Sequence, residues 1–226
     1  MTQVDTGVQA VLWDMDGTLV DTEPYWFRAE TELLSAYGIP WSSAQAAALV
    51  GNSLPASAAV LRDAGVQLDV REIIDLLLES VIAQVRTRVP WRPGARELLA
   101  GVRDAGIPCA MVTMSERPLA AEIDRLLPAG TFEFLVTGES VTHGKPHPEP
   151  YLHAVERLRE AWGAVEHGRI VAIEDSLPGL ASAKAAGLVT VGVPNVVDLP
   201  EDPGHTLWPT LEGRTVMHLR ELLPPR

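Results

Sequence analysis

Five short apolar runs, with helical patterns between most of them, restrict this chain to very few architectures. They are VQAVLWD (8–14), IPCAMVT (107–113), FEFLVTG (132–138), RIVAIED (169–175) and LVTVGVP (188–194). A run this short and nearly continuous in apolar residues is what a strand needs when both faces of its sheet are covered, the condition of a parallel sheet. Helical periodicity occupies 94–105, 116–127, 148–162 and 177–186. Strands alternating with helices predict an α/β fold, a doubly wound parallel sheet with right-handed crossovers.

Residues 21–90 break that rhythm. EPYWFRAETELLSAYG, SSAQAAALVG, LPASAAVLRDAG and DVREIIDLLLESVIAQVRTR all read as helices, with Gly38, Gly51 and Gly65 as stop signals and no strand pattern. The expected organisation is an α/β core of residues 1–20 and 91–226 with a helical cap inserted over 21–90. VPWRPGARELL returns the chain to the alternating pattern, with Pro93 expected in the first turn of the next helix.

Composition excludes several partners. A hydrophobic content of 46% over 226 residues supports a real core, and a formal charge of −12 supplies no cationic surface for nucleic acid or an anionic membrane. No apolar stretch reaches the length of a membrane span, and the opening MTQVDTGVQAV lacks the basic and apolar regions of a secretion signal. The single cysteine, Cys109, lies in the apolar run IPCAMV, where it packs as a small hydrophobe. The expectation is a soluble cytoplasmic monomer whose partner is a small molecule.

The strand ends carry the chemistry. Asp14 and Asp16 in VLWDMDGT project to one side at the carboxyl end of the first strand, where open α/β sheets bind ligands. Like charges that close call for a cation or a shared proton, and a hard ion such as Mg²⁺ suits oxygen ligands. By itself D-x-D-G reads equally as a solvated turn with an Asx cap. MVTMSER brings Thr113, Met114 and Ser115 to a helix start, where a hydroxyl and backbone N–H groups suit a phosphate, although an N-cap explains the same residues. Lys145 in HGKPHPEPY reads alone as a surface lysine, and Glu174 and Asp175 in VAIEDSLPG also suit the positive end of a helix.

Taken in order, DMDGT, Thr113, Lys145 in GKPHPEPY, and EDSLPG resemble the four motifs of the haloacid dehalogenase superfamily, and the helical insert resembles its subfamily with a helical cap. The resemblance spans residues 8 to about 195 and implies a Rossmannoid core. Met114 departs from it, since relatives often carry Asn or a small polar residue there. The resemblance implies a Mg²⁺-dependent phosphatase acting on a small phosphorylated metabolite, a sugar phosphate, through an aspartyl-phosphate. Asp14 would be the nucleophile, Asp16 the acid–base group, and Thr113 and Lys145 the grip on the phosphoryl oxygens. Asp14, the backbone carbonyl of Asp16, Asp175 and Glu174 would hold the metal, Glu174 directly or through water.

Substrate contacts are expected from Met114, Ser115, Trp26 and Asn52, the last in the cap stretch LVGNSLPAS. No Lys or Arg occurs from Ala29 to Leu61, which favours a hydrolase over a β-phosphoglucomutase-like enzyme that must grip a second phosphate. The mutase is the alternative, and a non-catalytic phosphate-binding regulator a more remote one. Tyr25, Trp26 and Trp41 suit either a sugar-binding wall or packing between cap helices. Trp13 is expected in the core. His143 and His147 flank Lys145 on a Gly-Pro loop, without the helix that would aim both at Zn²⁺.

Overall fold

The computed structural model describes residues 7–49 and 52–225. Its contacts divide the chain into two compact units, Met1–Asp21 with Trp91–Arg226, and Thr22–Pro90.

The first unit is built on a six-stranded parallel sheet of order β3-β2-β1-β4-β5-β6. The strands are β1 (Ala10–Trp13), β2 (Cys109–Val112), β3 (Phe134–Val136), β4 (Ile170–Glu174), β5 (Val189–Gly192) and β6 (Thr206–Leu207). The chain winds outward from β1 through β2 to β3, then resumes on the other side of β1 with β4. That reversal makes β1 and β4 a topological switch point, the position at which open α/β sheets bind ligands. Register aligns the ends: Trp13 pairs with Met111 on one side and Ile173 on the other.

In the first unit the sheet is flanked by α5 (Ala95–Asp104), α6 (Arg117–Arg125), α7 (Glu149–Trp162), α8 (Leu177–Ala185) and α9 (Val216–Glu221). One face of the sheet, with Leu12, Ala110, Val112 and Ala172, packs on Tyr151, Val155 and Leu158 of α7 and Ala183 of α8 in a single apolar cluster. Trp13 is fully buried. Burial pushes the Cys109 thiol up to about 12, so it stays protonated and inert. Pro93 is not in the first turn of α5. Gly94 precedes the helix with φ +78°, and a Cβ there would lie 2.2 Å from the Leu211 carbonyl carbon, so this left-handed turn sets the helix start at Ala95.

The second unit holds α1 (Glu23–Ala36), α2 (Ser43–Ala47), α3 (Leu54–Asp63) and α4 (Val70–Thr87). Reciprocal capping boxes, Ser42 with Gln45 and Asp69 with Glu72, start α2 and α4. Gly38 (φ +70°) and Gly65 (φ +125°) follow the ends of α1 and α3, whereas the predicted stop at Gly51 lies outside the described residues. Ile73, Ile74, Leu77, Leu78, Val81 and Val85 form the buried stripe of α4, at the spacing of one helix face. Tyr25 acts in packing here: its hydroxyl donates to the Arg88 carbonyl at 2.9 Å, and the Tyr25 carbonyl accepts from Gln84 Nε2 at 3.2 Å.

The sequence pattern predicts neither β6 nor α9. β6 has two residues, and α9 has six with one buried, so periodicity has almost nothing to register.

Candidate active site

Three strand ends and one loop of the first unit converge at the switch point. Asp14 directly follows β1, its backbone N–H donating to the Ile173 carbonyl at 3.0 Å. Lys145, on the loop before α7, sends its ammonium into the interior, where Nζ donates to Asp14 Oδ1 at 2.7 Å and to the Val112 carbonyl at 2.8 Å and pairs with Glu174 Oε1 at 2.5 Å. Its side chain is only 5% exposed, which rules out the surface-lysine reading. Burial alone would favour the neutral amine, but the flanking Asp14 and Glu174 overcome it and hold the ammonium above its ordinary pKa.

Glu174 is fully buried. Burial, then the Asp14 charge, push its carboxyl up to about 7, opposed by Lys145 and by Tyr151. Both of its oxygens have protein donors. Oε1 accepts from the Tyr151 hydroxyl at 2.6 Å as well as from Lys145, and Oε2 accepts from Ser176 Oγ at 3.2 Å. Ser176 also caps α8, accepting from the Gly179 N–H at 3.1 Å. The network therefore fixes Lys145 by a carboxylate that is itself fixed from the two neighbouring helices.

Two glycines exist to make room for this. A Cβ on Gly179 would lie 1.9 Å from Glu174 Oε2, and one on Gly17, already at φ +84°, would lie 1.8 Å from Asp175 Oδ2. Neither position tolerates a side chain without moving an acid of the site.

Asp16 is held separately. Ser115 Oγ donates to its Oδ2 at 2.7 Å, and Thr113 Oγ1 does so at 3.3 Å. The Ser115 N–H donates to Thr113 Oγ1 at 3.0 Å, which ties the two residues that hold Asp16 to each other. Met114 replaces the expected small polar residue with a different service: its sulfur accepts from the Lys145 N–H at 3.3 Å and lies close to Gly144, while Gly138 lies close to the Met114 backbone carbonyl. Met114 thus supports the loop that carries the lysine.

Carboxylate oxygens of Asp14, Glu174 and Asp175 lie within 4.8 Å of one another. Asp14 Oδ2 is buried with no hydrogen-bond partner among the described residues. A buried anionic oxygen without a donor costs free energy, and an all-oxygen donor set of three carboxylates is the kind that accepts a hard divalent cation. The donors fit Mg²⁺ better than Zn²⁺, whose sites are built mainly on imidazole nitrogen and thiolate sulfur.

Sequence reasoning missed Tyr151, Gly179 and the Ser115–Asp16 bond. Tyr151 reads as one more apolar residue of a helix, and no local pattern says that its hydroxyl reaches β4. In the helical unit, Trp26 is buried on α1 and Asn52 is exposed. Also overlooked was Glu30, four residues after Trp26 on the same buried face of α1, whose Oε2 has no partner among the described residues. Burial pushes its carboxyl up to about 7. An acid spaced i, i+4 from a tryptophan was the available signal.

Known proteins are similar to this chain over most of its length. N-acetylmuramic acid 6-phosphate phosphatase of Pseudomonas aeruginosa is 34% identical, the alignment covering 96% of this chain and 93% of that protein. Hexitol phosphatase B of Escherichia coli is 27% identical, covering 96% and 97%. Among solved structures, a CbbY mutant from Rhodobacter sphaeroides in complex with xylulose-(1,5)bisphosphate superposes with a TM-score of 0.81 at 28% identity, covering 91% of this chain and 96% of that one. The family model of the haloacid dehalogenase-like hydrolases matches residues 8–187, the span that runs from β1 to the end of α8 and carries every acid of the site, and the protein belongs to that family.

Proposed function

We propose that the protein is a Mg²⁺-dependent phosphatase that hydrolyses a small phosphorylated metabolite, a sugar phosphate, through an aspartyl-phosphate. The observation that carries this reading is the buried Asp14, with one oxygen fixed by Lys145 and the other without a partner among the described residues. The relatives named as phosphatases of phosphorylated sugars and hexitols support the substrate class.

In the first step an Asp14 carboxylate oxygen attacks phosphorus, the bond from phosphorus to the ester oxygen breaks, and Asp16 gives its proton to the departing alcohol. In the second, Asp16 takes a proton from water, the hydroxyl attacks phosphorus, and inorganic phosphate leaves Asp14 as a free carboxylate. Ser115 and Thr113 hold Asp16 in the orientation that both transfers need. Lys145 offsets negative charge on the phosphoryl group and on Asp14, with Glu174 and Tyr151 keeping it in place. Asp14, the Asp16 carbonyl and Asp175 would hold Mg²⁺, with Glu174 close by. Bound there, the ion would neutralise the crowded carboxylates and draw charge from the phosphoryl oxygens.

Trp26 and Asn52 are assigned to the leaving group, and the absence of Lys and Arg from Ala29 to Leu61 favours a neutral sugar over a second phosphate. The test is a phosphate-release screen over hexose, hexitol and amino-sugar phosphates with Mg²⁺, with the organic product identified. The expected result is free sugar in equal amount to phosphate. Bisphosphate-dependent isomerisation faster than phosphate release would replace the hydrolase with the mutase.

A further inference from the structure

The loop that carries Lys145 has a second cluster of metal-ligating side chains that the phosphatase chemistry does not use. In HGKPHPE the lysine is flanked by His143 and His147, with Glu149 opening α7. Their rings lie 4.7 Å apart, centroid to centroid, tilted by 36° rather than stacked. Glu149 Oε2 lies 2.9 Å from His143 Nδ1 and 3.9 Å from His147 Nδ1. One donor atom from each of the three residues lies within 4.8 Å of the others.

We propose that His143, His147 and Glu149 form a binding site for a borderline divalent transition metal, of the Zn²⁺ or Co²⁺ class, separate from the acid cluster at the strand ends. Two imidazoles and one carboxylate are a donor set that Zn²⁺ takes with a fourth position open. Donors on a tetrahedral Zn²⁺ stand about 3.3 Å apart, as bonds of about 2.0–2.1 Å require. The present spread closes by rotating two rings that are more than half exposed.

The backbone is already arranged for it. Glu149 is held in place by the Thr142 N–H at 2.6 Å on Oε1 and the His143 N–H at 3.0 Å on Oε2. Pro146 and Pro148 fix φ on either side of His147. The His147 ring has still to turn: its Nδ1 accepts from the Glu149 N–H at 3.2 Å, and that bond gives way when the nitrogen meets an ion. The two sites sort ions by chemistry: the acid cluster offers only oxygen and suits Mg²⁺, whereas this one offers imidazole nitrogen. Because the cluster brackets Lys145, a bound ion ties the two sides of that loop together and slows its opening.

The test titrates Co²⁺ into the full chain with Mg²⁺ in excess, so that the oxygen site is occupied, and follows visible absorption, melting temperature and amide exchange over residues 142–147. The expected result is one saturating Co²⁺ site, a melting temperature that rises with Co²⁺, and slower exchange in that loop. His143→Ala should lower the affinity by more than about tenfold, since even the loss of an outer partner costs that much. His143→Ala/His147→Ala should abolish the absorption band. His153→Ala, at an exposed histidine on α7, should leave all three readouts unchanged. Mg²⁺-dependent phosphate release by His143→Ala, compared with the wild type in the absence of Co²⁺, verifies that the variant is folded. Absence of a saturable site in the wild type, or an undiminished one in the double variant, overturns the proposal.

Discussion

Gly179→Ala sets helix propensity against the buried network, and the structure says which prevails. Gly179 lies inside α8, and in an unobstructed helix the change to Ala gains about 1 kcal/mol. Here the new Cβ would lie 1.9, 2.0 and 2.2 Å from the three carboxyl atoms of Glu174, so the whole carboxylate must leave its place. That breaks its bond from Tyr151 and its pairing with Lys145, and disrupting a buried ion pair costs about 3–5 kcal/mol. The net expectation is a loss of about 2–4 kcal/mol. Lys145 then loses one of its two acidic partners, and a catalytic group misplaced by about 1 Å costs about 10²-fold in turnover. Gly101→Ala is the matched control, in the interior of α5 with nothing within 4 Å of the added Cβ, and should stabilise by about 0.5–1 kcal/mol. Urea unfolding midpoints at constant m-value, with phosphate release from an aryl phosphate, read both effects. If Gly179→Ala matches Gly101→Ala in stability and retains full turnover, the carboxylate is not where this reasoning requires it.

Asp14→Asn should abolish turnover, whereas Asp16→Asn should let a slowly hydrolysed phosphoenzyme accumulate with a good leaving group; acid-quench trapping distinguishes them, and near wild-type rates in Asp14→Asn would remove it as nucleophile. Chelation with EDTA should stop phosphate release and Mg²⁺ should restore it, with Ca²⁺ a poor substitute because it prefers higher and looser coordination; full activity in EDTA contradicts the metal assignment. Glu30 has a folded pKa of about 7 against an ordinary 4.5, so it binds its proton more tightly in the folded state. Its contribution to stability is best below the ordinary value, falls as pH rises towards about 7 and is level beyond. Glu30→Gln should therefore stabilise the protein by on the order of 1–2 kcal/mol at about pH 8 after allowance for solvent screening, with little gain at about pH 4; an equal gain at both values refutes the buried, raised carboxyl.

The residues that reached the site by sequence alone are those whose chemistry conflicts with their surroundings. Asp14 and Glu174 end apolar runs for no reason of packing, and periodicity placed both at one edge of a parallel sheet. Lys145 was harder, because a lysine on a Gly-Pro loop looks solvated until the fold buries it between two acids.

Sequence by itself determined the α/β class, the five longer strands, the helical character of residues 23–87 and the ordered set of acids, hydroxyl and ammonium. All of these are written in local period and residue type, which act over one or two turns of chain. Only the tertiary structure decided that Ser115 and Thr113 serve Asp16, that Met114 braces the Lys145 backbone, and that Tyr151 and Gly179 set the position of Glu174. These contacts join residues 23 to 99 positions apart, except for Gly179, which lies five residues after Glu174. In each, the partner is chosen by which strand ends and helix starts the sheet order brings together, and no local period in the chain encodes that choice.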